Sequence, residues 1–552
     1  MRLILLLMAW HRTWLSPNEL KERNVHLRRF FYLFLSIFLI FWIFTPSILA
    51  TALDDYVDSP DSNYTYSQEG NSVFDFSTFT TGYTLQLTSQ QWRDFSEVDY
   101  AIWMHWVTIY KPSNFLISTD TALLVINDGS HLDPAPAYED QFRQLAAATG
   151  SVIAVISAVP NQPLIFTDET TSRSEDEIVA YSWDKYLRGG DTYWPVQLPM
   201  VKSVVRAMDA IQDFLAGLGI LNRVTINNFV LTGGSKRGWT AWLTAAVDTR
   251  VTAIAPIVSD LLNMKRSFAH HWAAYGFWAD AISPYEDLGI FDWFDKTEMT
   301  NLLAMVDPYE YLDRLHIPKF IVNSAGDDFF VMDSIQFYLD DLQGETCLRH
   351  VPNTDHYLTN AFEVVFNGMA PFYDAFLQGN PRPVFSWSLV DDGSIRVVAT
   401  DPPKTVNLWQ ASNPTDRDFR LTTIGATWVS SPLADQGGGV YVGQVSEPAS
   451  GWTAFFIELT YDNPFSQEYS TTDEFDYHFT TEMRVLPEMC PFEVDFNRDR
   501  MTNFLDLMIL TNFWLSNNAY RDVFPRRTGD GVINLNEFVT FGLHWLEDGI
   551  GQ

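Results

Sequence analysis

Residues 228–247 read NFVLTGGSKRGWTAWLTAAV, and this stretch decides the fold. Phe229 to Thr232 is strand-like and Trp239 to Val247 is helical, with Gly233-Gly234-Ser235-Lys236-Arg237-Gly238 between them. A strand, a sharp glycine-flanked turn and a helix present a serine at the top of an α/β sheet. The helix N-terminus then lies beside any negative charge that develops there. The usual spacing is G-x-S-x-G, and this chain departs from it. Gly233 stands at minus two, but plus two is Arg237 and the next glycine is Gly238. The first helical turn must therefore accommodate a large residue beside the elbow. On its own, the motif is also compatible with a glycine-rich turn carrying an incidental serine.

The flanking sequence favours the nucleophile. Ala122 to Asn127 and Val152 to Ser157 are compact strands, and Met200 to Leu218 repeats apolar residues at helical spacing. Lys319 to Asn323 is a further strand and Asp333 to Leu342 a helix. Strands alternating with helices predict a mostly parallel sheet covered on both faces over residues 75–380. Past the strand at Phe320 to Asn323 come Asp327 and Asp328, and His356 follows in the loop Val351 to His356. Serine, acid and histidine thus occur in the hydrolase order. Ser235 is the candidate nucleophile, His356 its base, and Asp327 the preferred acid, with Asp328 as rival. The backbone N–H groups of Lys236 and Ser130 are the candidate oxyanion donors, Ser130 because Asp128-Gly129-Ser130 follows a strand. Trp183, Arg188, Tyr193 and Trp194 form either a pocket wall or ordinary aromatic packing. His270-His271, adjacent on a helix, point apart and make a poor metal site.

The segments GGSKRGWTAWLTAAVDTRV, DLLNMKRSFAHHWAAYGFW, NSAGDDFF and PNTDHYL resemble the PhoPQ-activated pathogenicity-related protein family over about residues 60–486. The resemblance implies an α/β-hydrolase-like fold with Ser235, Asp327 and His356 as triad positions. It says much less about the reaction, because the family's substrate is poorly defined.

Beyond Pro381-Arg382-Pro383 the period changes to two, with Asp391-Asp392-Gly393 as a hairpin turn, and residues 381–488 read as a small β-sandwich. Residues 489–552 change again. Counting Asp495 as one, Asp495, Asn497, Asp499, Asn503 and Asp506 place side-chain oxygens at 1, 3, 5, 9 and 12, with the Met501 carbonyl at 7. This is the spacing of an EF-hand-type calcium loop, although Arg500 replaces the usual glycine at six and Asp506 the usual glutamate at twelve. A second copy runs through Asp530, Asn534 and Glu537, but Arg526 and Thr528 stand at its first and third positions and weaken it. The pair of loops resembles a type I dockerin-like all-α module, which implies structural calcium and a cohesin-like or other surface receptor as partner.

The chain has 552 residues, 35 basic against 69 acidic, a net charge of −34, with 47% hydrophobic and 19% charged residues. That composition is globular, and an acidic excess of this size repels nucleic acid. Cys347 and Cys490 are too few for a disulfide scaffold and read as unpaired thiols. Residues 1–52 carry a basic stretch, an apolar run from Phe30 and an Ala50-Thr51-Ala52 cleavage signal, so they read as a secretory signal or, uncleaved, a membrane anchor. Residues 53–74 read as a flexible leader. The expectation is an exported or surface-anchored serine hydrolase, an esterase or else a peptidase, acting on an ester-bearing or polymeric extracellular substrate, without a catalytic cofactor and tethered by its tail. The alternative is a binding or signalling protein on a hydrolase scaffold. A glycosidase has no motif here.

Overall fold

A computed structural model of the chain describes residues 50–359, 361–463, 475–516, 518, 521, 523 and 532–548. The apolar N-terminal run and residues 524–531, with Arg526, Thr528 and Asp530 of the second acidic loop, lie outside the described residues. No helix among the described residues is long and apolar enough to cross a membrane.

A mixed sheet of nine strands forms the centre, ordered β1-β2-β3-β5-β4-β6-β7-β8-β9. The strands are β1 Thr65–Asp75, β2 Thr80–Gln91, β3 Ile102–Pro112, β4 Thr121–Ile126, β5 Val152–Ile156, β6 Asn228–Gly234, β7 Val251–Ile257, β8 Lys319–Ser324 and β9 Thr346–Val351. From β5 to β9 all pairings are parallel; β1, β2 and β3 add an antiparallel flank. The central strands are apolar on both faces, as a parallel sheet between two layers requires. Alternate residues divide between two cores: Leu124, Ile156 and Leu231 face one, Leu123, Ile153 and Val230 the other.

The first face is covered by α1 (Ala52–Asp58), α3 (Asp176–Gly189), α4 (Gln197–Gly217), α5 (Lys236–Val247), α6 (Met264–Tyr275) and α7 (Thr297–Val306). The second is covered by α2 (Asp140–Thr149) and α8 (Phe362–Gln378). The β-rich region packs onto this second face. One sheet runs β10-β11-β14 (Phe385–Leu389, Ile395–Ala399, Val440–Gly443). The other runs β13-β12-β15-β16 (Val429–Pro432, Thr405–Asn413, Trp452–Tyr461, Tyr477–Thr480), with β17 (Arg484–Leu486) also on β15. Val397, Ile457 and Phe479 share one apolar core with Val322 and Phe372, so the two β-sheets are built onto the central unit.

Three expectations are corrected. Residues 53–74 are not a leader: α1 buries Leu53, Tyr56 and Val57, Lys202 Nζ donates to Ser59 O at 2.6 Å, and β1 forms the sheet edge. Its polar sequence suits an edge strand whose side chains are nearly all exposed. Asp333 to Leu342 forms two short 3₁₀ turns rather than a helix. His478 to Val485 is two strands, because Thr481 leaves the ladder and bonds Ile457 instead.

The tail contains α9 (Phe504–Asn512) and α10 (Leu535–Asp548) and packs against the central unit. Trp272 Nε1 donates to Asp495 Oδ2 at 3.0 Å, Arg500 Nε to Gly276 O at 2.7 Å, and Arg521 pairs with Asp295 at 2.6 Å. Cys347 and Cys490 are unpaired.

Leu53 is fully buried. Leu53→Ala is expected to lower the unfolding free energy by about 3 kcal/mol, measured by denaturant titration. A loss below about 0.5 kcal/mol would restore the leader.

Candidate functional site

β6 ends at Gly234, and Ser235 turns the chain at φ 57°, ψ −125° before α5 begins at Lys236. Only a closely determined surrounding holds a non-glycine residue in that conformation. The Ser235 N–H donates to Ile257 O of β7 at 2.8 Å. A Cβ on Gly233 would lie 2.7 Å from Arg237 Cβ and 2.9 Å from Ile126 O, and one on Gly238 would lie 2.9 Å from Gly233 O. Glycine at 233 is thus the complement of arginine at 237. The departure from the usual spacing is accommodated by the direction the guanidinium takes. Arg237 forms two 2.7 Å bonds to Glu175 and donates to Val159 O at 2.6 Å. Lys236 Nζ reaches Glu175 at 2.7 Å and Asp176 at 2.9 Å. Burial alone would raise the Glu175 carboxyl; Arg237 and then Lys236 outweigh it and hold it well below the ordinary range.

Three strand ends bring the expected residues together. His356 Nε2 lies 2.8 Å from Ser235 Oγ, and its Nδ1 lies 2.9 and 3.0 Å from the two oxygens of Asp327. Asp327 also accepts from the N–H groups of Phe329 (2.7 Å) and Phe330 (3.1 Å), which fixes the carboxylate plane. Asp328 does not reach His356; burial, then the neighbouring Asp327, raises its carboxyl, and its Oδ1 has no hydrogen-bond partner. Between the two acids, the geometry selects Asp327. Phe329 packs 4.1 Å from the His356 ring. Ser235 and His356 open on a cavity of about 560 Å³ whose walls include Phe142, Val155, Leu358 and Met369.

The Lys236 N–H is the first of α5 and points out of the helix end, as expected of a donor to an anion. The Ser130 expectation fails: its N–H donates to Asp133 Oδ2 at 2.7 Å. Asp128, two residues earlier in the same turn, lines the cavity instead. Of the aromatic group, Trp183 packs on Trp239 and lines a small cavity that Ser235 also lines. Trp194 packs on Trp92 and Phe166, Tyr193 on Tyr56, and Arg188 pairs with Asp184. His270 and His271 diverge as expected. His270 Nε2 meets Asp333 at 2.7 Å, whose other oxygen holds Arg417 at 2.7 Å. Burial opposes the charge on His270, but Asp333 prevails and pushes it up to about 9.

In the first acidic loop, Asp495 and Asp506 are buried, and burial raises both carboxyls. Arg500 occupies the sixth position at φ 65°, the left-handed turn that glycine usually makes. Asp495 accepts from Trp272, Asp499 N and Arg500 N, leaving one of about four lone-pair directions open. Asn497 and Asp499 complete the acid-rich side. Asn503 caps α9 by accepting from Leu505 N at 2.8 Å, and its amide donates to the Met501 carbonyl at 3.1 Å. Asp506 accepts from Asn497 N at 3.0 Å and Asn503 N at 2.9 Å, and among the described residues no three His, Cys, Asp or Glu side chains gather as a metal site. Of the second loop, Glu537 is buried and accepts from Asn534 N at 2.6 Å.

A family model described as PhoPQ-activated pathogenicity-related protein matches residues 53–420. The autocrine proliferation repressor protein A of Dictyostelium discoideum is 36% identical over 469 residues, 81% of this chain and 92% of that protein. Among solved structures, acetyl xylan esterase 1 from Thermoanaerobacterium sp. JW/SL YS485 shares 13% identity at TM-score 0.36, covering 57% of this chain and 90% of its own. An S-formylglutathione hydrolase from Agrobacterium tumefaciens shares 12% at TM-score 0.35, covering 57% and 99%.

Gly233→Ala is expected to lower the thermal midpoint by several degrees, since backbone and Arg237 block the added methyl. Gly234→Ala, with nothing within 4 Å of the added carbon, should stay within about 2 °C of the parent in the same melting experiment. Equal losses at both positions would refute this account of the turn.

Proposed function

The chain belongs to the PhoPQ-activated pathogenicity-related protein family, and on that footing we propose that it is an exported serine hydrolase of α/β-hydrolase type that cleaves esters. The observation that carries the proposal is the unbroken line from Ser235 Oγ through His356 to Asp327, with successive contacts of 2.8 and 2.9 Å. His356 Nε2 takes the hydroxyl proton as Ser235 Oγ bonds to the ester carbon. The oxyanion that forms faces the Lys236 N–H at the helix N-terminus and the Asp128 N–H. Collapse breaks the bond to the leaving oxygen, which receives the proton from His356. Water then repeats the sequence and frees Ser235. Asp327 holds the imidazole by Nδ1–H and stabilises its cation.

A second reading, a signalling protein on the same scaffold, is favoured by the relative named as a proliferation repressor. A fluorophosphonate probe decides between them. Labelling of the folded protein that disappears in Ser235→Ala supports hydrolysis, and absence of labelling favours signalling. Asp327→Asn should lower kcat by about 10³–10⁴-fold, while Asp328→Asn stays within about tenfold.

The tail supplies location in this proposal. It is a calcium-binding, dockerin-like module, with Asp495, Asn497, Asp499 and Asp506 as side-chain ligands, the Met501 carbonyl as the seventh-position ligand and Asn503 acting through water. Exposed Phe504, Leu505 and Met508 of α9, with Leu535 and Val539 of α10, offer an apolar face to a cohesin-like surface receptor. Calorimetric titration of the full chain with calcium should give one strong site, abolished by Asp495→Ala. Two equal sites, or a site that survives Asp495→Ala, would overturn the assignment.

A further inference from the structure

Ser235 stands between two cavities of very unequal size. The cleft already described, about 560 Å³, is lined by His356 and Tyr357. The other is a slot of about 40 Å³ that Ser235 and Lys236 share with the rings of Trp183, Trp239, Tyr285 and Phe330; Met264 and Phe268 of α6 also line it. His356 does not border the slot. Acyl transfer assigns the two spaces, because the leaving oxygen must receive its proton from His356 Nε2 and therefore departs into the large cleft. The remaining substituent on the carbonyl carbon is then directed into the slot. The slot has less than a tenth of the cleft's volume, so it takes the smaller substituent, a short acyl group. Its walls are aromatic and aliphatic. The one acid that borders it, Asp176, has both oxygens engaged, by Tyr285 Oη at 2.9 Å and Lys236 Nζ at 2.9 Å. The site therefore favours an uncharged, unbranched acyl group.

We propose that the substrate is a short-chain ester, an acetyl or propionyl group carried on a much larger alcohol. The inference rests on the serine-hydrolase reading and goes further by fixing which half of the ester is small. In the reaction the Ser235 Oγ–acyl bond forms and the ester C–O bond breaks, and the serine proton leaves on the alcohol through His356. Water then gives the short carboxylic acid and the free serine.

The test is kcat/KM of the full-length protein on p-nitrophenyl acetate, propionate, butyrate and octanoate. The expected result is a fall of roughly tenfold or more from propionate to butyrate, and a further fall to octanoate. Phe268→Ala and Met264→Ala enlarge the slot without touching Ser235 or His356, and each should raise the butyrate-to-acetate ratio about tenfold. Octanoate cleaved as fast as acetate overturns the proposal and leaves the hydrolase reading standing. The same holds if both folded variants keep the parental ratio. Should either variant fail to fold, the parental ester series decides alone. Loss of Ser235-dependent fluorophosphonate labelling sinks the hydrolase reading itself, and the acyl assignment with it.

Discussion

The turn at Ser235 constrains everything around it. A non-glycine residue at φ 57° costs on the order of 1–3 kcal/mol and persists only where its surroundings leave no alternative. Here three contacts remove the alternatives: the bond from Ser235 N to β7, the absence of a side chain at Gly233, and the clamp of Arg237 on Glu175. Glu175 itself stands at φ 54°, held by a reciprocal amide pairing with Gln162. Two strained residues on different segments are thus fixed against each other through one guanidinium. Its fork reaches Glu175 twice and Val159 once, a geometry a lysine ammonium cannot reproduce.

The acid and the histidine are braced from another direction. Thr354 Oγ1 donates to Ser324 Oγ at 2.9 Å, tying the two loops together below the site. A Cβ on Gly326 would sit 2.5 Å from Thr354 O and 3.0 Å from Leu421 N, and that Leu421 N–H donates to Gly326 O. Asn353 exchanges two hydrogen bonds with the backbone of Trp428, at 2.9 and 3.1 Å. Leu421 and Trp428 belong to the β-rich region, so that region positions His356 as well as sharing the core.

Much of this was legible in the sequence because it depends on local pattern. The apolar runs of β4, β5, β6 and β8, the periodicity of α4, the glycine-flanked serine and the chain order of Ser235, Asp327 and His356 all follow from it. What was missed depends on partners distant in sequence. Asp327 and Asp328 are equivalent as letters, and only the two backbone N–H groups and the imidazole around Asp327 separate them. Ser130 looked available until the Asp133 carboxylate took its N–H. β1 is polar along nearly its whole length and reads as a linker, because an edge strand gains its hydrogen bonds from β2 rather than from apolar burial. Asp333 to Leu342 has helical composition, yet Asp333 is held in a buried ion pair with His270 and Arg417, which the short turns allow.

The strongly acidic balance has a consequence inside the protein as well as on its surface. Buried carboxylates here fall into two groups. Asp333, and likewise the half-buried Glu175, meets a guanidinium, which outweighs desolvation and holds the carboxyl below its ordinary range. Asp260 and Asp307 meet only hydroxyl or amide donors, and burial pushes them up to about 8 and about 7, so each carries a proton for much of the neutral range. Asp495 and Asp506 resemble the second group in being raised by burial, but they differ in their neighbours. A lone buried acid is neutralised most simply by a proton. These two instead accept from backbone N–H groups of their own loop, Asp495 from Asp499 and Arg500, and Asp506 from Asn497 and Asn503. A cation in the tail is therefore proposed on the spacing of the loop's oxygens and not on the total charge.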